Sequence, residues 1–337
     1  MLNSNLKYTG DNLIEVKNLV KYYPIKGGVL NRTIANVKAV DGISFSIKQG
    51  ETLSLVGESG CGKTTAGHTM LRLQPPTSGK VLYKGENLFE LKEKDLKPYR
   101  RDLQIVFQDP FGSLDPRLPV GESIAEGLNI HALGSKQERF ERVLKAMSRV
   151  GLQDFHALRY PHEFSGGQRQ RIGIARALVM EPKFIVLDEP VSALDVSIQA
   201  QVLNILKDLQ QDLGLTYLFV AHNLGVVEHI SDRVAVMYLG KVAELSTRDE
   251  VFEHPMHPYT IALLSAVPIP NPKIRRTRII LEGDVPSALN PPSGCRFHPR
   301  CPFATERCSQ EVPEMREIEP EHFIACHHPQ EGGTEMY

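Results

Sequence analysis

Between about Leu13 and Leu245 the chain alternates short runs of apolar, β-branched and aromatic residues with longer stretches whose apolar positions recur at helical spacing. The clearest extended runs are 51–56, 103–107, 184–187 and 216–221. That rhythm predicts an α/β domain built on a largely parallel sheet. The stretch 121–150 reads differently, because Ile124, Leu128, Val143, Leu144 and Met147 fall on a helical period, and it predicts a helical insertion. From about Val267 onward Pro268, Pro270, Pro272, Pro286, Pro291 and Pro292 interrupt the chain too often for long regular elements, which predicts a linker into the C-terminal tail. No internal repeat is evident. The best apolar run, 216–221, has the length of a strand and falls far short of the roughly 18 residues that span a bilayer.

Composition narrows the class. Of 337 residues, 41% are hydrophobic and 23% charged, an ordinary globular balance that excludes collagen, a long coiled coil and wholesale disorder. With 39 Lys plus Arg against 40 Asp plus Glu, no global basic field recruits nucleic acid or anionic lipid. The first ten residues are polar and lack the apolar core of a secretory signal, so a cytoplasmic location is expected. Of the five cysteines, Cys61 stands alone, whereas Cys295, Cys301, Cys308 and Cys326 fall in the last 43 residues. In a reducing compartment such clustering favours metal over disulfides.

Chemistry enters at Gly57-Glu58-Ser59-Gly60-Cys61-Gly62-Lys63-Thr64, which fits G-x-x-x-x-G-K-[ST] and lies between a predicted strand and a predicted helix beginning near Thr65. The glycines let the backbone curl so that successive N–H groups and a helix N-terminus face one anionic centre. Lys63 supplies a mobile charge for the β- and γ-phosphates, and Thr64 offers a hydroxyl to Mg²⁺. The run Phe184-Ile185-Val186-Leu187-Asp188 is an apolar strand ending in a second Mg²⁺ contact, Asp188. Glu189 follows it, placed to orient or deprotonate the attacking water. Ser165 caps a helix expected to run to about Met180, and Gly166 and Gly167 free N–H groups at its positive end.

The segment Phe164-Ser165-Gly166-Gly167-Gln168 stands 102 residues after Lys63 and 23 before Asp188, and here the sequence resembles the ATP-binding-cassette family, whose signature reads LSGGQ. The resemblance implies a nucleotide-binding domain with a RecA-like core, an antiparallel β subdomain and a helical subdomain at about 109–180. The cassette is expected over 1–266, followed at 267–337 by a small Cys-rich extension. It further implies that the Ser165 turn contacts the γ-phosphate held by a partner subunit and that Gln108 is the Q-loop glutamine at the Mg²⁺ site. Asp195, in Ser192-Ala193-Leu194-Asp195, matches the D-loop, and His222 resembles the switch histidine, although alone it would read as a strand-end histidine. Tyr23 aligns with the aromatic residue that stacks on adenine, and Thr65 joins the phosphate-binding set.

Finer likeness comes from Arg159-Tyr160-Pro161-His162-Glu163, from Pro190 to Ser197, from His257-Pro258-Tyr259-Thr260 and from Asn290-Pro291-Pro292-Ser293-Gly294-Cys295. These resemble the ATP-binding subunits of dipeptide and oligopeptide importers, and within them the F type. The resemblance implies a second, non-identical ATPase subunit, two transmembrane permeases and, indirectly, an extracytoplasmic peptide-binding protein, with this chain peripheral on the cytoplasmic face. Nickel and glutathione importers are near relatives. Soluble ABC ATPases are expected to carry a long coiled coil or two cassettes, neither of which is present. The Ser165 turn argues against a small-molecule kinase, and a redox sensor centred on the tail is the remaining rival.

In the tail, Cys295-x5-Cys301-x6-Cys308-x17-Cys326 lacks the short spacing of common structural zinc sites and of ferredoxins. Four thiolates could hold tetrahedral zinc or one 4Fe–4S cluster, and spacing does not choose. The importer subfamily that the chain resembles carries an iron–sulfur cluster there.

Overall fold

The computed structural model describes residues 12–27, 32–267 and 279–330; Pro268, Pro270 and Pro272 of the expected linker lie outside them. Its strands, in chain order, are β1 (Asn12–Gly27), β2 (Arg32–Lys48), β3 (Thr52–Val56), β4 (Ser78–Tyr83), β5 (Glu86–Asn87), β6 (Leu103–Val106), β7 (Phe184–Asp188), β8 (Thr216–Val220), β9 (Arg233–Tyr238), β10 (Lys241–Thr247), β11 (Arg316–Glu319) and β12 (His322–Ile324). The chain divides into two compact units, one of Met1–Lys48, Thr52–Glu90 and Ala221–Tyr337, the other of Gln49–Glu51 and Leu91–Val220.

In the first unit, β2, β1, β4 and β5 pair in that order as an antiparallel sheet. A second set of strands begins with β3, which runs parallel to β9. The sequence then turns back through β10, and β12 and β11 continue the sheet, all antiparallel. Every residue of β3 and β9 is buried, as continuous apolar strands covered on both faces require. Glu244 of β10 is fully buried, with its carboxylate accepting the N–H groups of Met256 and His257 at 2.9 and 3.1 Å and sharing a 2.7 Å hydrogen bond with buried His322. The C-terminal segment thus enters the sheet through a buried polar contact as well as through backbone pairing.

In the second unit β6, β7 and β8 are mutually parallel. The connection from β7 to β8 is the helix Val196–Leu213, ended by Gly214 in the left-handed conformation at φ 62°, where a side chain would be strained. The helical insertion is two helices, Val120–Ile130 and Lys136–Arg149, packed with Gly166–Leu178. Ile124, Leu128, Val143 and Met147 are wholly buried, while Leu144 sits at the edge of that stripe. The insertion breaks where Ala132 and Gly134 take positive φ, and Ser135 restarts it with a capping box to Glu138.

Candidate functional site

The phosphate loop lies in the first unit between β3 and the helix Lys63–Met70. Two of its glycines are obligatory by geometry. A Cβ on Gly57 (φ 148°) would fall 2.2 Å from the Met237 carbonyl oxygen, and one on Gly62 (φ 106°) 2.1 Å from that of Ala39. Gly62 is also the residue from which the helix starts, with no side-chain cap, so the first amides of Lys63, Thr64 and Thr65 are oriented as an anion cradle. Lys63 is 5% exposed, and its Nζ donates to the carbonyls of Gly57 and Glu58 at 2.8 and 3.0 Å. Cys61 is buried below it, and burial pushes its thiol pKa up. Glu58 is held twice: Tyr259 Oη accepts its N–H at 2.9 Å, and Arg300 pairs with its carboxylate.

Tyr23, on β1, has a partly exposed ring with Lys21 Nζ 4.7 Å from its centroid, and its hydroxyl donates to Gln74. Neighbouring Tyr22 points its hydroxyl to Asp41 instead, and burial together with that carboxylate pushes its pKa up to about 12. His222 is exposed, and the preceding Ala221 donates its N–H to Leu55 of the phosphate-loop strand at 3.1 Å.

The second unit gathers the other set. Asp188 ends β7 at 3% exposure. Glu189 adopts φ 45°, a left-handed conformation uncommon for a side-chain-bearing residue. Gln108 Nε2 donates to Glu189 Oε2 at 2.9 Å, which joins two residues 81 positions apart. Glu189 is pinned further by its N–H to Val220 and by its carbonyl, which accepts the Ser192 hydroxyl at 3.1 Å.

Ser165 caps the helix Gly166–Leu178, accepting the Gln168 N–H at 3.3 Å while its own N–H donates to Gln168 Oε1 at 3.0 Å. Both Ser165 and Gly166 are exposed. Gly167 is bare for a reason, since a Cβ there would lie 2.4 Å from Ile198 Cγ2 of the helix Val196–Leu213. Asp195, at the start of that helix, is exposed, and Val196 beside it is 82% exposed.

Two patterns of known families match the chain: "ABC transporter" over 40–192 and "Oligopeptide/dipeptide transporter, C-terminal region" over 243–308. The sequence is 54% identical over 320 residues to the oligopeptide transport ATP-binding protein AppF of Bacillus subtilis, covering 94% of this chain and 97% of that protein. It is 54% identical over 314 residues to a putative peptide import ATP-binding protein, BOV_A0347, of Brucella ovis, covering 93% and 97%. The chain belongs to the ATP-binding proteins of peptide ABC transporters. Among solved structures, the dimeric bacterial ABC transporter cassette MJ0796 superposes with a TM-score of 0.62 at 31% identity, covering 70% of this chain and 98% of that one. CbiO1 of Clostridium perfringens gives 0.62 at 30%, covering 72% and 91%. For an ABC ATPase of this family, ATP with Mg²⁺ is the expected substrate and cofactor, membrane permeases the partners, and pairing of two cassettes the working form. No helix among the described residues is long and apolar enough to cross a membrane.

The C-terminal pattern of the ABC peptide transporters covers Cys295, Cys301 and Cys308. Together with Cys326 they line one small pocket, walled also by His257, Phe297 and Phe303. The turn is tight: Cys295 N–H donates to the Cys308 carbonyl at 2.8 Å, and Gly294 (φ 61°) would place a Cβ 2.4 Å from that same oxygen. Burial, and after it the neighbouring thiols, push the Cys301 pKa up to about 11 and that of Cys326 up to about 12. Four thiols that line one pocket supply the donors of a cation site, so the donor set fits a metal group.

Sequence reasoning passed over Arg296, Arg300 and Asp41, which join this tail to the rest of the unit, and met Tyr259 only within the His257-Pro258-Tyr259-Thr260 likeness. Their pairings span tens to hundreds of positions and leave no local pattern. The adjacency of the two arginines to Cys295 and Cys301 was the one visible signal.

Proposed function

We propose that the chain is the ATP-hydrolysing subunit of a peptide importer, peripheral on the cytoplasmic face of the membrane. The carrying observation is that one chain bears both family patterns, the ABC transporter pattern across the phosphate loop and Ser165 turn and the peptide-transporter pattern in the tail. In this reading Lys63, Thr64, Thr65 and the loop of residues 57–62 bind the triphosphate, with the Glu58 N–H committed to Tyr259 Oη, and Tyr23 stacks on the base. Thr64, Asp188 and Gln108 hold Mg²⁺, which offsets phosphate charge. Glu189 aligns the attacking water, and its bond to Gln108 supports that role by fixing the carboxylate. His222 reads the γ-phosphate.

Ser165, Gly166, Gly167, Gln168 and Asp195 serve the nucleotide bound by a second, non-identical ATPase subunit, and the exposure of Ser165, Gly166 and Asp195 supports this. Closure of the pair on ATP moves two permeases, and hydrolysis reopens it, so chemistry resets a two-state element. An extracytoplasmic binding protein delivers the peptide.

The four cysteines are assigned to a 4Fe–4S cluster in a Cys-rich extension. Tetrahedral zinc draws its thiolates to about 3.8 Å from one another at 2.3 Å bonds. Among the described residues, however, the one trio of ligand atoms gathered within 4.8 Å is Glu250, Glu319 and His322. The wider thiol set supports the larger group.

The test is reconstitution of the chain with its sister ATPase, permeases and binding protein in vesicles. Peptide-stimulated ATP hydrolysis and peptide uptake, both lost in Lys63→Ala, are expected. Stimulation by nickel or glutathione in place of peptide would move the assignment to those importers.

A further inference from the structure

Two arginines flank the first cysteines of the tail, Arg296 directly after Cys295 and Arg300 directly before Cys301. Each reaches back to an acid beside the nucleotide-binding elements of the same unit. Arg300 forms a two-pronged pair with Glu58 of the phosphate loop, Nη1 to Oε2 at 2.8 Å and Nη2 to Oε1 at 3.2 Å, and its side chain is only 8% exposed. The Glu58 N–H already donates to Tyr259 Oη, so the second residue of the loop is clamped through both backbone and side chain. Arg296, 7% exposed, pairs with Asp41, the carboxylate that also receives the Tyr22 hydroxyl next to Tyr23.

A ring cluster runs alongside these pairs. Phe297 lines the cysteine pocket and lies 5.3 and 5.4 Å from the rings of Tyr238 and Tyr259. One short segment therefore carries two of the four thiols, the Arg300 fork, a second arginine that bridges Asp41 and the Leu239 carbonyl, and the aromatic wall behind the phosphate loop.

A fork of this kind is specific in direction, because both N–H bonds require one orientation of the guanidinium. Removing it leaves a partly buried Glu58 carboxylate without its partner, which favours a rearranged loop. We propose that Arg300 is a positioning residue for ATP: it holds the phosphate loop in its binding form through Glu58, and occupancy of the cysteine pocket sets how firmly it does so. This inference rests on the reading of 57–64 as the ATP site and of the cysteines as a metal site. Arg300 touches no reacting atom. Its effect therefore belongs in ATP affinity and not in the chemical step.

The experiment is equilibrium titration of the full chain with a fluorescent ATP analogue in Mg²⁺, alongside KM and kcat in the assembled transporter. Arg300→Gln is expected to weaken binding about tenfold, equivalent to about 1.4 kcal/mol, with kcat at saturating ATP within about twofold. Glu58→Gln should weaken binding to a similar extent, and the double variant no more, since both remove one interaction. Arg300→Lys, which keeps charge without the fork, should recover part of the loss, and hydrogen exchange should report faster amides at 57–64 in Arg300→Gln.

For the pocket, the chain reconstituted anaerobically with ferrous iron and sulfide should bind the analogue more tightly than the metal-free chain, and Arg300→Gln should abolish that difference. Unchanged affinity in Arg300→Gln, or additive effects with Glu58→Gln, would overturn the positioning role. Equal affinity with and without metal would overturn the link to the cysteines. Failure of the wild-type chain to bind the analogue, or retention of binding by Lys63→Ala, would instead overturn the ATP-site reading beneath both.

Discussion

His257 is wholly buried at the start of the helix Pro258–Ser265, and its Nδ1 accepts the Tyr259 N–H at 3.0 Å, which only a neutral imidazole can do. Burial lowers its pKa from 6.5 to about 4, partly countered by the Glu244 carboxylate. The folded state therefore refuses a proton that the unfolded chain accepts near pH 6.5. Stability from this group is complete above 6.5, declines as the pH falls, and levels off below about 4. At about 1.4 kcal/mol per tenfold in proton concentration, the loss over that window approaches about 3 kcal/mol. His257→Asn keeps a side-chain cap, since asparagine is a favoured N-cap residue, but cannot titrate. The chain has no tryptophan, so guanidinium unfolding is followed by circular dichroism at pH 4, 5, 6 and 7. The wild type should lose about 3 kcal/mol more than the variant between pH 7 and 4, because carboxylates common to both cancel in the difference. Identical pH dependence in the two proteins would refute the argument.

Glu189→Gln should retain ATP binding while hydrolysis in the assembled transporter falls by about 10²- to 10⁴-fold, with paired subunits accumulating; unchanged turnover would remove Glu189 from its role. Gly62→Ala should abolish binding of a fluorescent ATP analogue, because its Cβ would lie 2.1 Å from the Ala39 carbonyl oxygen. Gly60→Ala, with nothing within 4 Å of the added carbon, should cost only the left-handed backbone penalty of about 1–2 kcal/mol. Anaerobically purified chain should be coloured and contain about four irons, and colourless protein with one zinc would reverse the cluster assignment.

Much of the architecture was legible because it is written locally. The parallel strands β3, β7 and β8 are uninterrupted buried runs, and each announces itself as a short apolar word. Ser165 was readable as a cap because its partner, Gln168, stands three residues on. The insertion at 121–150 was recognisable as helical, whereas its division at Ala132–Gly134 depends on backbone angles that no apolar period encodes. The tail defeated pattern reading for a different reason. Strand β12 is three residues long and exists because β10 offers it an edge and Glu244 offers His322 a partner. Likewise, nothing near Glu58 announces Arg300, 242 positions away.

That late-joining strand has a practical corollary. Ala325 donates its N–H to the Ala243 carbonyl at 2.8 Å, and Glu244 and Leu245 face Ile324 and Phe323. A chain cut after Val267 would lay open the rim of β10, with unanswered amides and carbonyls and with Glu244 stripped of its His322 partner. Such a rim is adhesive towards any other extended peptide. Shortened versions made for convenience should thus clump on concentration even where the phosphate loop itself is intact, and the tail would act as a selvedge that keeps the fabric from catching on its neighbours.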